Sequence, residues 1–342
     1  MNHKYIVLFF LLSSCTSNYL QKDPMSMFNE KHYLTGELLN VEANKLNSYG
    51  RMILFDNDCL IKENLRGEYL LEKIFYDRDS IVPIAFKGNG PNEYLHLSLI
   101  QKKDRESYLV FDVFKKAVYT HDLLENISDT VKFEQPVFHI ASIKDRYVAN
   151  SFHSDSRYSV FDCFGKLNNS FGEFPDDGIN IPLKRKHFAY QGLMASNDSL
   201  GCIVSISYSG TIMEFYKLEE SNAKPIRLLH QTFPLYEDAS TNKITSVRHK
   251  KDNIFGYVDI CSSTKYIYAL YSGKQVASQI EGQSTEKVRR CKQILVYDWE
   301  GNPKYILNTD KELMNIAVSD NDSYLIALGW DDDYKLYRFD LP

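Results

Sequence analysis

A chain of 342 residues, 44% hydrophobic and 25% charged, can bury a large core and is too apolar to be disordered. A net charge of −5 argues against a general nucleic-acid binder. The abundance of Tyr (24) and Phe (20) beside only 10 Pro and 16 Gly favours β structure, where flat side chains pack well on pleated surfaces.

At the N-terminus, His3 and Lys4 precede an apolar run, Tyr5–Leu12, that ends in Leu12-Ser13-Ser14-Cys15. The run is shorter than the roughly 20 residues a spanning helix needs and has the form of an export signal. Leu-Ser-Ser-Cys resembles the lipobox of bacterial lipoproteins, in which the cysteine is lipidated and becomes the mature N-terminus. The expected organisation is a cleaved signal peptide over 1–14, a lipidated N-terminus and tether over 15–35, and the folded domain over 36–342. Thr16-Ser17-Asn18 brings no acidic residue next to Cys15, which favours an outer-membrane location. Cys59, Cys163, Cys202, Cys261 and Cys291 are odd in number and contain no C-x-x-C pair, so no disulfide framework is expected. Cys163, Cys202 and Cys261 lie among apolar residues and read as small buried hydrophobes.

Beyond residue 35 one unit recurs: an apolar strand ending in aromatic-Asp, a polar turn, and a second strand. It appears at Phe55-Asp56, Phe111-Asp112, Phe161-Asp162, Tyr297-Asp298 and Phe339-Asp340, with a weaker copy at Phe215-Tyr216-Lys217. The polar stretches 238–253 and 272–290 read as insertions. Six units, at 45–86, 95–133, 138–175, 190–235, 254–310 and 311–342, predict an all-β, six-bladed β-propeller of four-stranded antiparallel blades rather than paired sandwiches. One blade is expected to complete its sheet with a strand from the other terminus.

After the first unit comes Phe86-Lys87-Gly88-Asn89-Gly90-Pro91-Asn92-Glu93-Tyr94. It has neither the Gly-Lys-Ser/Thr nor the following helix of a phosphate loop, and it lacks the third glycine of a dinucleotide fingerprint. It reads as a turn in which Gly88 and Gly90 allow positive φ, Pro91 fixes its own φ, and Glu93 accepts backbone N–H groups. The lipobox, the six degenerate repeats and this Gly-x-Gly-Pro-x-Glu segment together resemble the TolB-like six-bladed propeller lipoproteins of Gram-negative bacteria. That resemblance implies fold and envelope location, and little chemistry.

Three basic clusters stand in predicted loops: Lys184-Arg185-Lys186, Arg248 with Lys250, and Arg289-Arg290. They are candidate contacts for an anionic partner. The acidic turns Asp176-Asp177-Gly178 and Asp331-Asp332-Asp333 lack EF-hand spacing and read as turn formers. No catalytic residue, metal-ligand set or cofactor motif is identified, since Gly-x-Ser-x-Gly and H-E-x-x-H are both absent. The expected function is that of a monomeric, lipid-anchored scaffold that binds a protein or glycan partner, with affinity carried by the insertions. A propeller hydrolase or lyase acting on carbohydrate or peptide at the channel mouth is the alternative.

Overall fold

The computed structural model describes residues 23–342 apart from 42–45, 47, 57, 91, 151, 153, 221 and 276–285. The expected signal peptide, Cys15 and Pro91 lie outside the described residues.

Consecutive strands pair antiparallel into radial sheets. Blade 1 comprises Met52–Phe55, Cys59–Glu63, Tyr69–Phe75 and Ser80–Lys87; blade 2 comprises Leu97–Lys102, Ser107–Asp112, Ala117–Asp122 and Ile127–Lys132. Blade 3 is Ile140–Ile143, Arg146–Ala149, Tyr158–Phe161 and Leu167–Phe171, and blade 4 is Met194–Asn197, Cys202–Ile206, Ile212–Leu218 and Ala223–His230. Blade 5 uses Ile254–Ser262, Tyr266–Gln275, Cys291–Asp298 and the first half of the 16-residue strand Pro303–Val318. The second half of that strand opens blade 6, followed by Tyr324–Asp331 and Asp333–Asp340.

The closing strand comes from the N-terminus. Glu37–Leu38 pairs antiparallel with Arg338 and Tyr337 and gives blade 6 its fourth strand. Just before it, Lys31–Leu34 runs parallel to Ile306–Thr309 at the outer edge of blade 5. Phe28 is buried edge-on against Tyr297 at 5.1 Å, so the expected tether overlaps a packed segment from Asp23 onward.

The core is a ring rather than a single centre. Each of six buried clusters is sandwiched between adjacent blades. Between blades 4 and 5, for example, Val204, Ile206, Met213 and Phe215 meet Tyr257, Ile267, Ala269 and Leu295. Strands whose two faces both bury apolar side chains explain near-continuous runs such as Ile294-Leu295-Val296-Tyr297. Alternate residues of that run feed the clusters on opposite sides of blade 5.

Because strands alternate in direction, the links between blades share one face with the turns that join second to third strands. This linker face carries every long segment. Residues 172–193 include helix α1 (Leu183–Ala189), and residues 231–253 include the hairpin Tyr236–Asp238/Val247–His249. The turn after Gln275 returns through the one-turn helix Glu286–Arg289. Lys184, Arg185 and Lys186 thus sit on a helix, not in the expected loop. Of the three cysteines expected to be buried, Cys163 is exposed, because it follows Asp162 in an outward turn; Cys59 and Cys291 are buried instead.

Candidate functional site

The inner strands of all six blades enclose a central cavity of about 660 Å³. It runs from Arg51, Leu193 and Asp259 to the turns of the opposite face, where Lys102, Asp104, Lys144, Asp198 and Asp320 stand around it. Its wall is mixed, with Ile53, Leu99, Ala195, Ile260 and Val318 beside polar residues such as Gln101, Ser142, Ser196 and Asn197.

Polar side chains lock neighbouring inner strands at the turn end. Gln101 Nε2 donates to Ser142 O at 2.9 Å and to Ser196 Oγ at 3.0 Å, tying blades 2, 3 and 4. Lys102 Nζ crosses over the Phe55 ring, 5.2 Å from its centre, to reach Asp320 of blade 6 at 2.8 Å. These contacts fix the wall, so the cavity is preformed and a ligand would not have to order it.

At the Arg51 end the Asp259 carboxylate is already engaged. Asp259 Oδ2 accepts from Ile316 N at 2.9 Å and from Asn315 Nδ2 at 3.1 Å, and Oδ1 accepts from Ile260 N at 3.0 Å. Asn315 Oδ1 accepts in turn from Gly50 N at 3.0 Å, so one polar chain passes through blades 5, 6 and 1. Burial pushes the Asp259 carboxyl up to about 6 against these hydrogen bonds. Glu63 Oε2 accepts from Arg51 Nε at 3.3 Å.

On the linker side of this level, Arg289 lies over three rings. Its guanidinium carbon is 5.3 Å from the centre of Tyr49, 5.6 Å from Tyr208 and 5.1 Å from Phe255. Tyr208 stacks on Phe255 at 6.1 Å, and His139 meets Tyr208 edge-on at 6.1 Å. Burial, Arg51 and His96 together hold His139 down to about 3, so it is neutral near pH 7.

The structure disperses the other basic residues singled out in the sequence. Lys186 is buried and donates to Asp177 at 2.6 Å, and Arg185 pairs with Asp238. Arg248 pairs with Glu237 at 3.1 Å on the exposed hairpin, while Lys184 and Lys250 are exposed. Arg290 packs 4.1 Å from the Trp330 ring centre. Asp177 also accepts from Tyr190 and Tyr236 hydroxyls at 2.9 and 2.7 Å, which clamps α1 against the hairpin.

The Gly88–Glu93 loop lies on the linker face between blades 1 and 2. Glu93 Oε2 accepts from Gly90 N at 2.7 Å. The expected positive φ is not at the glycines but at Asn92 (φ 60°). Gly88 serves instead by having no Cβ, since one would stand 2.0 Å from Glu93 Oε2. The folded-in carboxylate occupies the space a side chain would need.

Arg51, His139, Tyr208 and Asp259 were not singled out in the sequence. They come from four different blades or links and share no motif. Only Asp259 left a trace, as a lone acid inside the apolar run Ile254–Cys261.

A closed ring of six antiparallel blades around a lined cavity defines a six-bladed β-propeller. The chain belongs to the TolB-like 6-blade propeller-like family, whose model matches residues 29–321. Among solved structures it is similar to a Bacteroides fragilis protein described as exported, at 14% identity and a TM-score of 0.55, covering 93% of this chain and 96% of that one. It is also similar to a DUF4221-family member from Bacteroides vulgatus, at 9% identity and a TM-score of 0.53, covering 90% and 96%. At such identities the likeness concerns the fold alone. No curated protein matches the sequence.

Proposed function

We propose that the chain is an exported, lipid-anchored envelope protein whose propeller is a non-enzymatic binding module for a protein or glycan partner, with the central cavity as its receptor. The observation that carries the reading is the preformed cavity of about 660 Å³, lined by all six blades. That volume falls within the range of roughly 300–1,000 Å³ typical of ligand pockets and suits a few sugar units or a short peptide segment. Binding is favoured over hydrolysis or lyase chemistry because Asp259, the carboxylate at the Arg51 end of the cavity, is consumed by structural bonds. Asp259 is held by Asn315 and two backbone amides. A general acid or base needs a free oxygen facing substrate. Anchoring and export are supported by Leu12-Ser13-Ser14-Cys15 and by the exported Bacteroides fragilis protein of like fold.

A channel-filling variant tests the reading. Ala195 lines the cavity and is partly exposed to it, so Ala195→Trp places a large ring where the partner would sit. Detergent extracts of the producing cell's envelope should yield a partner with the native chain and none with the variant, at equal melting temperatures. Equal recovery with both would remove the cavity as the receptor, and chemical turnover of a recovered glycan or peptide would favour the enzymatic alternative. Cys15→Ala should release the protein from membranes; unchanged partition would refute the anchor.

A further inference from the structure

We propose that Arg289 and Arg51, together with His139 and Tyr208, form a receptor for one oxyanion group, a carboxylate or phosphate carried by a small ligand, on the linker face of the propeller. The site lies on the linker side of the cavity, with Arg51 shared between the two, and the proposal does not depend on what that cavity binds.

Arg289 is the central residue. Its guanidinium lies over Tyr49, Tyr208 and Phe255, and among the described residues no carboxylate forms an ion pair with it. Ring faces attract the cation but leave its N–H edges without acceptors, and those edges match an oxyanion in a two-pronged geometry. The residue is also held in place. The preceding Val288 is buried, its carbonyl accepts from Ser272 Oγ at 2.6 Å, and Lys274 Nζ donates to Lys287 O at 3.3 Å. At the start of the same turn Glu286 pairs with Arg66 of blade 1 at 2.7 Å. Tyr208 is fixed from both sides, its N–H donating to Gln191 O at 2.9 Å and its carbonyl accepting from Gly256 N at 2.7 Å.

Arg51 and Arg289 both act on the Tyr208 hydroxyl, alongside Asp259 and Glu63. Glu63 pairs with Arg51 and Asp259 is satisfied by Asn315 and backbone amides, so Arg289 is the cation with no direct ion pair among the described residues. His139 supplies the independent sign. Its Nδ1 is buried and has no hydrogen-bond partner among the described residues, and burial, with Arg51 and His96 adding to it, keeps the ring neutral. The neutral ring still has an N–H to offer to an oxyanion.

Calorimetric titration of the whole mature chain with inorganic phosphate, D-glucuronate and D-glucose tests the site. One of the two acids should bind with 1:1 stoichiometry, glucuronate if the group is a carboxylate and phosphate if it is a phosphoryl group, and glucose should not bind. Arg289→Met should weaken that binding by roughly tenfold or more, the loss expected for a charge-assisted pair. Tyr208→Phe keeps the ring under Arg289 and removes only the hydroxyl, so a partial loss is expected even if Arg289→Met fails to fold. Absence of binding by both acids would overturn the proposal, as would an affinity that neither Arg289→Met nor Tyr208→Phe alters.

Discussion

Glu214 shows at the residue scale how this fold accommodates charge between blades. It is fully buried and accepts from Arg157 at 3.0 Å, His230 at 2.7 Å and Tyr158 at 2.7 Å. Burial raises its carboxyl, yet Arg157, His230 and Tyr158 outweigh burial and hold it below the ordinary value of 4.5. The stabilisation is therefore present above the unfolded value and is lost as pH falls through the lower, folded one. Glu214→Gln leaves Arg157 buried without its counter-ion and should cost about 3–5 kcal/mol in urea unfolding near pH 7. Below the unfolded value the native chain should approach the variant, and a constant difference across acid pH would contradict the assignment. Gly88 gives a second residue-scale expectation. Gly88→Ala displaces the Glu93 carboxylate and should cost on the order of 1 kcal/mol, and that cost should shrink in a Glu93→Ala background because the clash is gone. Equal costs in both backgrounds would mean that the carboxylate is not what the missing Cβ makes room for.

At the scale of elements, the aromatic-Asp signal was legible but its placement was not. Asp112 ends the second strand of blade 2, Asp162 the third of blade 3, Asp298 the third of blade 5, and Asp56 follows the first of blade 1. The residues equivalent to Asp162 in blades 1 and 2 are Asp77 and Asp122. The reason is that an Asp at a strand end caps any hairpin turn. Asp162 Oδ1 accepts from Phe164 N and Lys166 N at 2.9 Å, and Asp112 Oδ1 accepts from Phe114 N at 3.0 Å in a different turn. The motif thus marks turns, and the count of turns gave the right number of blades with a shifted strand register. The stretch 272–290, read as an insertion, is tied into the fold: Val288 joins the cluster between blades 5 and 6 and Glu286 bridges to blade 1. Deleting 274–289 should lower the melting temperature by several degrees; an unchanged value would show that these contacts contribute nothing. Removing the chain up to Leu38 strips blade 6 of its outer strand and blade 5 of its parallel edge strand. The exposed edges should produce aggregation on size-exclusion chromatography, and a monodisperse truncated chain would contradict the closing role.

For the whole molecule, six interlocking clusters around a closed ring mean that no blade keeps both of its apolar faces covered if a neighbour opens. Trp299 lies in the cluster between blades 4 and 5, and Trp330 packs against the one between blades 6 and 1. Their fluorescence and the far-ultraviolet circular dichroism should report one coincident denaturation transition. Separate midpoints would show that blades unfold one at a time. The sequence by itself determined that the chain is a six-bladed propeller, because strand alternation, turn chemistry and repetition are local properties written into each unit. It also marked Arg289 and the Gly88–Glu93 loop as unusual, since a basic pair or a glycine pair is visible without its surroundings. Only the tertiary structure decided that Glu37–Leu38 closes the ring and that Lys186 and Arg185 are consumed by Asp177 and Asp238. It alone brought Arg51, His139, Tyr208 and Arg289 together. Those decisions belong to ring closure, which makes neighbours of residues about 300 positions apart, as in Glu37 and Arg338, and leaves no periodic trace along the chain.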